Sequence, residues 1–136
     1  MRAVVTRVNR ARVTRAETGE VLGEIGKGFL VLLGVHVDDT EKEAAKIADR
    51  ICGLRVFDDE NGKMNIRPAD AGAEILIVSQ FTLWADARSR RPGFTGNMMP
   101  GRNAFDTSVE TVVKDSLRAL ARGRARVFPG MKIRLA

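Results

Sequence analysis

The sequence predicts a single α+β domain, with several strands in a mixed sheet or partial barrel and two main helices. Three observations lead there. The chain has 136 residues, room for one sizeable core but not for two ordinary domains. Two continuous apolar runs of strand length, Phe29–Val35 and Ile75–Val78, read as buried central strands. Two other stretches, one after each half of the strand-rich region, carry apolar residues at helical spacing instead.

In chain order, Ala3–Val8 is a half-apolar strand. Ala11–Thr14 and Val21–Ile25 flank the turn signal Thr18-Gly19-Glu20 and form a hairpin. Gly26-Lys27-Gly28 turns the chain into Phe29–Val35. Asp38-Asp39-Thr40 supplies an N-cap, with acids just inside the following helix. Ala44, Ile47, Ala48, Ile51 and Leu54 make the apolar face of that helix. Arg55-Val56-Phe57 is a short strand, and Asp58–Gly62 a turn. Ile75–Val78 follows, and then the polar, Gly- and Pro-containing loop Ala85–Asn103. Ala104–Ala121 is the second helix, with Phe105, Val109, Val112, Val113, Leu117 and Leu120 inward. Pro129-Gly130 precedes a last strand, Met131–Leu135.

Charge points to a class of partner. The chain holds 23 Lys and Arg against 17 Asp and Glu, and 17 of the cations are Arg. Residues 1–16 contain five Arg and no acid, residues 17–87 contain 7 bases and 14 acids, and residues 88–136 contain 11 bases and 3 acids. Basic ends around an acidic middle suit a polyanion such as nucleic acid, since guanidinium groups grip phosphate in pairs of hydrogen bonds. A solvated basic surface without a partner is the plain alternative.

Other classes are set aside. No apolar run reaches the roughly 18 residues that span a bilayer. Met1–Arg7 has no signal-peptide pattern. One cysteine, Cys52, excludes an intrachain disulfide and fits a reducing cytoplasm. With no Tyr, one His and one Cys, few side chains titrate near neutrality. Cys52 lies in a helical pattern and His36 ends an apolar run, so both read as structural. Gly23, Gly26 and Gly28 precede a strand rather than a helix, which is not a dinucleotide or phosphate-loop arrangement. The turn at 58–62 fails as a calcium loop, because Phe57 and Pro68 would fall at ligand positions. No metal-ligand spacing is present, so no cofactor is expected.

The most informative segment is Ser79-Gln80-Phe81-Thr82-Leu83. A buried strand surfaces there and offers two hydroxyls, an amide and a ring. The backbone N–H groups of the following turn are placed to hold an oxyanion. In the competing reading, Ser79 and Thr82 merely satisfy the backbone of a turn.

This segment resembles the signature of the D-aminoacyl-tRNA deacylases. The likeness extends over Arg7-Val8 with Ala11–Val13, Gly23–Gly26, Leu30–Val35, Leu54–Phe57, Gly62-Lys63-Met64-Asn65 and Arg91–Phe94, in order over roughly residues 1–100. Thirteen residues separate Asn65 from Ser79, as in that family. The resemblance implies a cytoplasmic homodimer with the family's barrel-like α+β fold and no metal. It implies hydrolysis of the ester joining a D-amino acid, or glycine wrongly attached, to tRNA. It also implies that a Gly-cisPro pair, from a C-terminal Asn-x-Gly-Pro-x-Thr motif of the partner subunit, excludes L-amino acids. The 136 residues contain no Gly-Pro dipeptide. One deacylase-like domain is therefore expected over 1–136, truncated or divergent after about residue 100. The rival expectation is a relative that binds RNA or serves as a dimer partner with impaired catalysis.

Carried onto this chain, the catalytic group is Ser79, Gln80, Phe81 and Thr82. The N–H of Phe81 or Thr82 would stabilise the tetrahedral oxyanion, while the ribose 2′-hydroxyl of the tRNA positions or activates water. Ser79 and Gln80 would orient the adenine end or the carbonyl. Thr82 as a nucleophile has no evident base. Arg7, Met64, Arg88, Arg90, Arg91 and Phe94 form the substrate-binding set, with Met64 and Phe94 as walls and the loop arginines on phosphates.

Overall fold

The computed structural model of the chain describes residues 1–36, 38–91, 93 and 127–131; for Ser79, Phe81, Thr82 and Val127–Met131 it describes the backbone alone. The elements are β1 (Arg2–Val8), β2 (Ala11–Thr14), β3 (Val21–Ile25), β4 (Gly28–Gly34), α1 (Glu41–Gly53), β5 (Phe57–Asp58), β6 (Met64–Ile66), β7 (Glu74–Ser79), a 3-10 turn η1 (Phe81–Trp84) and β8 (Val127–Met131).

Phe29–Leu33 of β4 and Ile75–Val78 of β7 are continuous apolar runs because both faces of these strands are covered. They lie in the middle of a mixed four-stranded sheet of order β1-β4-β7-β8. β1 is antiparallel to β4, whereas β4–β7 and β7–β8 are parallel. A parallel neighbour requires a crossover, and the connection from β4 to β7 contains α1. Side chains alternate across the sheet. Phe29, Val31, Leu33, Ile75 and Ile77 therefore share one cluster with Ala44, Ala48, Ile51 and Cys52 of α1. Leu76 and Val78 pack on the opposite face with Ile25, flanked by Val8, Ala11 and Val13. That second layer is the β2–β3 hairpin.

The start of β4 depends on a glycine. Gly28 stands beside Glu74 in the parallel register, and the Glu74 N–H donates to the Lys27 carbonyl at 3.0 Å. A Cβ on Gly28 would collide with the Glu74 carbonyl. The sequence shows only a turn glycine there; the close approach of two strands is what requires it.

Helix α1 begins with a capping box. Thr40 Oγ1 accepts the Lys42 N–H at 3.3 Å, and the Glu43 carboxylate accepts the Thr40 N–H at 2.6 Å and its hydroxyl at 2.5 Å. Chiefly through the Thr40 hydroxyl, then its N–H, these bonds hold the Glu43 pKa down at about 2, from an ordinary 4.5. A depressed carboxylate pKa means that the unfolded chain takes up the proton first as pH falls. The contribution of Glu43 is thus complete above its ordinary pKa and is lost as pH falls toward 2. Glu43→Gln should melt earlier than the parent at pH 6, and the gap should narrow progressively below the ordinary carboxylate pKa, closing only as pH approaches 2. Paired thermal melts check this; a constant gap would separate the cap from the carboxylate charge.

The α+β class holds, with a mixed sheet and no closed barrel among the described residues. Several boundaries differ from expectation. Leu54 is the C-cap of α1 and is 37% exposed, while Cys52 takes the buried place at the end of the helix. Strand β5 is Phe57–Asp58 rather than 55–57, because Phe57 is the residue that anchors it, with its ring stacked on Phe29. Met64–Ile66 pairs with β5 as a strand too short to show in the sequence. Pro129-Gly130 lies inside β8 instead of preceding a strand. Among the described residues α1 is the one α-helix; the expected helix 104–121 and the segment 132–135 fall outside them.

Candidate functional site

β4 and β7 end side by side, with Leu33 next to Ser79. The Gln80 N–H donates to the Leu33 carbonyl at 2.7 Å, so pairing continues one residue past the strand. The chain then turns into η1, which is closed by the Leu83 N–H to the Gln80 carbonyl at 3.4 Å. The first N–H groups of a helical turn precede its first internal hydrogen bond. The amides of Phe81 and Thr82 occupy that position, at the C-terminal edge of a parallel pair. Ser79, Gln80, Phe81 and Thr82 run consecutively through this exit, from the end of β7 into η1.

The far end of η1 is tied to the same edge. The Trp84 indole N–H donates to the Gly34 carbonyl at 3.1 Å. Arg2 donates to the Leu83 carbonyl at 3.0 Å and lies 3.9 Å above the indole ring. The His36 ring meets the indole with centroids 4.5 Å apart. His36 is itself held by its N–H to Asp39 at 2.6 Å, and Asp39 also binds the Met1 amino group at 2.7 Å in a buried pair.

The expected substrate-binding residues separate into groups. Arg7 pairs with Phe29, near the start of β4. Four strand residues, or about 13 Å, therefore separate it along the sheet from the Leu33 rung. There it donates to the Val56 carbonyl at 2.7 Å and meets Asp58 at 3.5 Å. Met64 is opposite Asp58 and is 68% exposed. Arg7 and Met64 thus share a neighbourhood, at the other end of the sheet from η1. Arg88 is gripped by both oxygens of Asp86, which holds the Asp86 carboxyl below its ordinary pKa and raises that of Arg88. Its charge is already answered locally, whereas Arg90 and Arg91 are exposed on a loop drawn together by the Asp86–Gly93 bridge. Asp86, Arg88, Ser89, Arg91 and Gly93 line a surface cavity of about 350 Å³. Phe94 lies outside the described residues.

The sequence reading passed over Arg2, Gly34 and Trp84. Trp84 carried one signal: it is the sole tryptophan and directly follows the Ser79–Leu83 segment. No described helix is long and apolar enough to cross a membrane.

Comparisons place this architecture among known proteins. A D-aminoacyl-tRNA deacylase of Symbiobacterium thermophilum is 57% identical over 95 residues, covering 69% of this chain and 62% of that relative. One from Alteromonas mediterranea is 47% identical over 127 residues, covering 92% of this chain and 82% of the relative. The solved structure of the c-Myc DNA Unwinding Element Binding Protein aligns with a TM-score of 0.73 at 38% identity, over 96% of this chain and 85% of that one. A probable eukaryotic D-amino acid tRNA deacylase shares the fold, with a TM-score of 0.72 at 12% identity, over 88% and 68%. The family model described as D-Tyr-tRNA(Tyr) deacylase matches residues 4–127, and with these relatives the chain belongs to that family.

Proposed function

We propose that the chain hydrolyses the ester of D-aminoacyl-tRNA, and of wrongly charged glycyl-tRNA, releasing free amino acid and tRNA in the cytoplasm as a homodimer. Family membership supports the reaction class. The observation that carries the mechanism is the Phe81–Thr82 turn at the end of β7, with its leading amides at the edge of the sheet. Water attacks the ester carbonyl, helped by the 2′-hydroxyl of the terminal ribose. The carbonyl π electrons move to oxygen, and a backbone amide of the turn holds the resulting oxyanion. Collapse breaks the carbon–ribose oxygen bond, and the ribose oxygen leaves with a proton. Ser79 and Gln80 orient the carbonyl or the adenine. Arg90 and Arg91 meet phosphate, and Arg7 and Met64 contact RNA farther from the ester.

The 11 Lys and Arg against 3 acids in residues 88–136 favour one second reading, an RNA-binding or dimer-partner role without turnover. Release of labelled amino acid from D-aminoacyl-tRNA distinguishes the two. The expected result is release above the spontaneous rate, insensitive to chelator, from a species sedimenting as a dimer. Retention of charged tRNA with no acceleration would select the second reading, and failure to bind charged tRNA would overturn both.

A further inference from the structure

We infer that Arg2, Gly34 and Trp84 form a clamp that positions the Phe81–Thr82 amides; this deepens the proposed hydrolysis and rests on it. These residues are positioning groups, one step behind the reacting atoms. The placement starts from strand register. Arg2 and Gly34 are the final rung of the β1–β4 pair, directly beside the exit of β7. From that rung the Arg2 guanidinium covers the indole of Trp84 at 3.9 Å and donates to the Leu83 carbonyl. The indole N–H returns to the carbonyl of Gly34. The four residues of η1 are thus fixed at their entrance by Gln80 on Leu33 and at their exit by two bonds from side chains, 3.0 and 3.1 Å long.

Gly34 sets how close η1 lies to the sheet. A Cβ there would stand 3.0 Å from the Gln80 carbonyl oxygen, 3.0 Å from Leu83 Cβ and 3.1 Å from Trp84 Cδ1. Two of those three atoms belong to η1 and the third to the residue leading into it, so a methyl group displaces the turn outward by a few tenths of an ångström. An oxyanion donor works within a narrow window of about 2.7–3.1 Å. A displacement too small to unfold the domain is therefore large enough to spoil the site.

The test uses the full chain with Gly34→Ala, Arg2→Ala and Arg2→Lys. Gly34→Ala and Arg2→Ala should each lower kcat for D-aminoacyl-tRNA by about tenfold or more, with KM within about twofold, because misplacement acts on the transition state. Arg2→Lys should recover most of the loss, since an ammonium group can also sit over the indole and donate to Leu83. Trp84, the sole tryptophan, gives a readout independent of activity. Its emission should shift to the red and quench more easily in Arg2→Ala, and amide exchange at Gln80 and Leu83 should quicken in both alanine variants.

Unchanged kcat alongside shifted fluorescence overturns the clamp and leaves the hydrolysis reading intact. A raised KM at unchanged kcat overturns it as well, by making Arg2 an RNA contact. If the parent chain does not accelerate hydrolysis, the proposed function falls on that result alone. The clamp is then decided by exchange: quickened amides uphold it and unchanged protection overturns it. If Gly34→Ala fails to fold, the two Arg2 variants carry the test.

Discussion

Replacing the N–H of Phe81 or Thr82 by an ester oxygen should slow D-aminoacyl-tRNA hydrolysis by about 10²–10³-fold at whichever position holds the oxyanion, the effect of deleting one such donor. The exchange removes a donor and leaves every side chain in place. It keeps the described donors of the turn, the N–H groups of Gln80 and Leu83; the exchange at Phe81 also weakens the Gln80 carbonyl as acceptor of the Leu83 N–H, whereas the exchange at Thr82 leaves both described bonds intact. Thr82→Ala is the complementary variant. It keeps the amide and deletes the hydroxyl, so it should stay within about tenfold of the parent if the hydroxyl only positions. Single-turnover rates for the three variants and the parent, with mass spectrometry of the quenched reactions, make the comparison. If both ester variants stay within tenfold of the parent, the backbone is not the catalyst. A trapped aminoacyl group on Thr82 would make the hydroxyl a nucleophile.

How much of this could be read in advance depended on whether a feature is local. Phe29–Val35 and Ile75–Val78 announced buried strands because both faces are covered, and covering leaves a continuous apolar run. The cap of α1 was visible in Asp38-Asp39-Thr40 and the acids that follow, since a cap is a local pattern, whereas the reciprocal Thr40–Glu43 box shows only in the structure. Strand β6 was not visible. It has three residues, Met64 and Asn65 are exposed, and so short a stretch carries no readable period. Their strand exists through pairing with β5, which Phe57 anchors on Phe29. Parallel pairing of β4 with β7 was equally hidden, since register between residues some 45 apart in sequence leaves no periodic trace.

The site divides in the same way. The turn after β7 was legible because a buried strand ending in Ser-Gln-Phe-Thr is a local pattern. The arginine that reaches the turn was not. Arg2 and Arg7 look alike in sequence, and resemblance singled out Arg7. The antiparallel register decides between them. Arg2 pairs with Gly34 beside the turn, and Arg7 with Phe29 at the other end. Likewise, the ion pair of Arg88 with Asp86 shows only in the structure, although the carboxylate stands two residues earlier.

Phe29→Ala should be the most damaging single truncation in the described core, costing about 3–5 kcal/mol of a total that is usually about 5–15. Phe29 is fully buried. Its ring stacks on Phe57 with centroids 5.2 Å apart, and β4 is hydrogen-bonded on both sides, to β1 and β7. Truncation of a fully buried ring in a doubly paired strand leaves a cavity, so both the lost transfer energy and the cavity count. Phe29→Leu should lose roughly half as much, and Val4→Ala, on a half-exposed side chain of the edge strand, about 0.5 kcal/mol or less. Urea midpoints of the three variants rank them, and comparable losses for Phe29→Ala and Val4→Ala would mean that the core does not centre on β4. The loss should also be spatially polarised. Phe57 would lose its partner, loosening the hairpin that carries Met64 and the Val56 carbonyl on which Arg7 rests. The Phe81–Thr82 turn hangs from the opposite end of β4 through Leu33 and Gly34. At a temperature where Phe29→Ala is still folded, hydrolysis per folded molecule should therefore fall far less than in Gly34→Ala, although Gly34→Ala disturbs the global stability less.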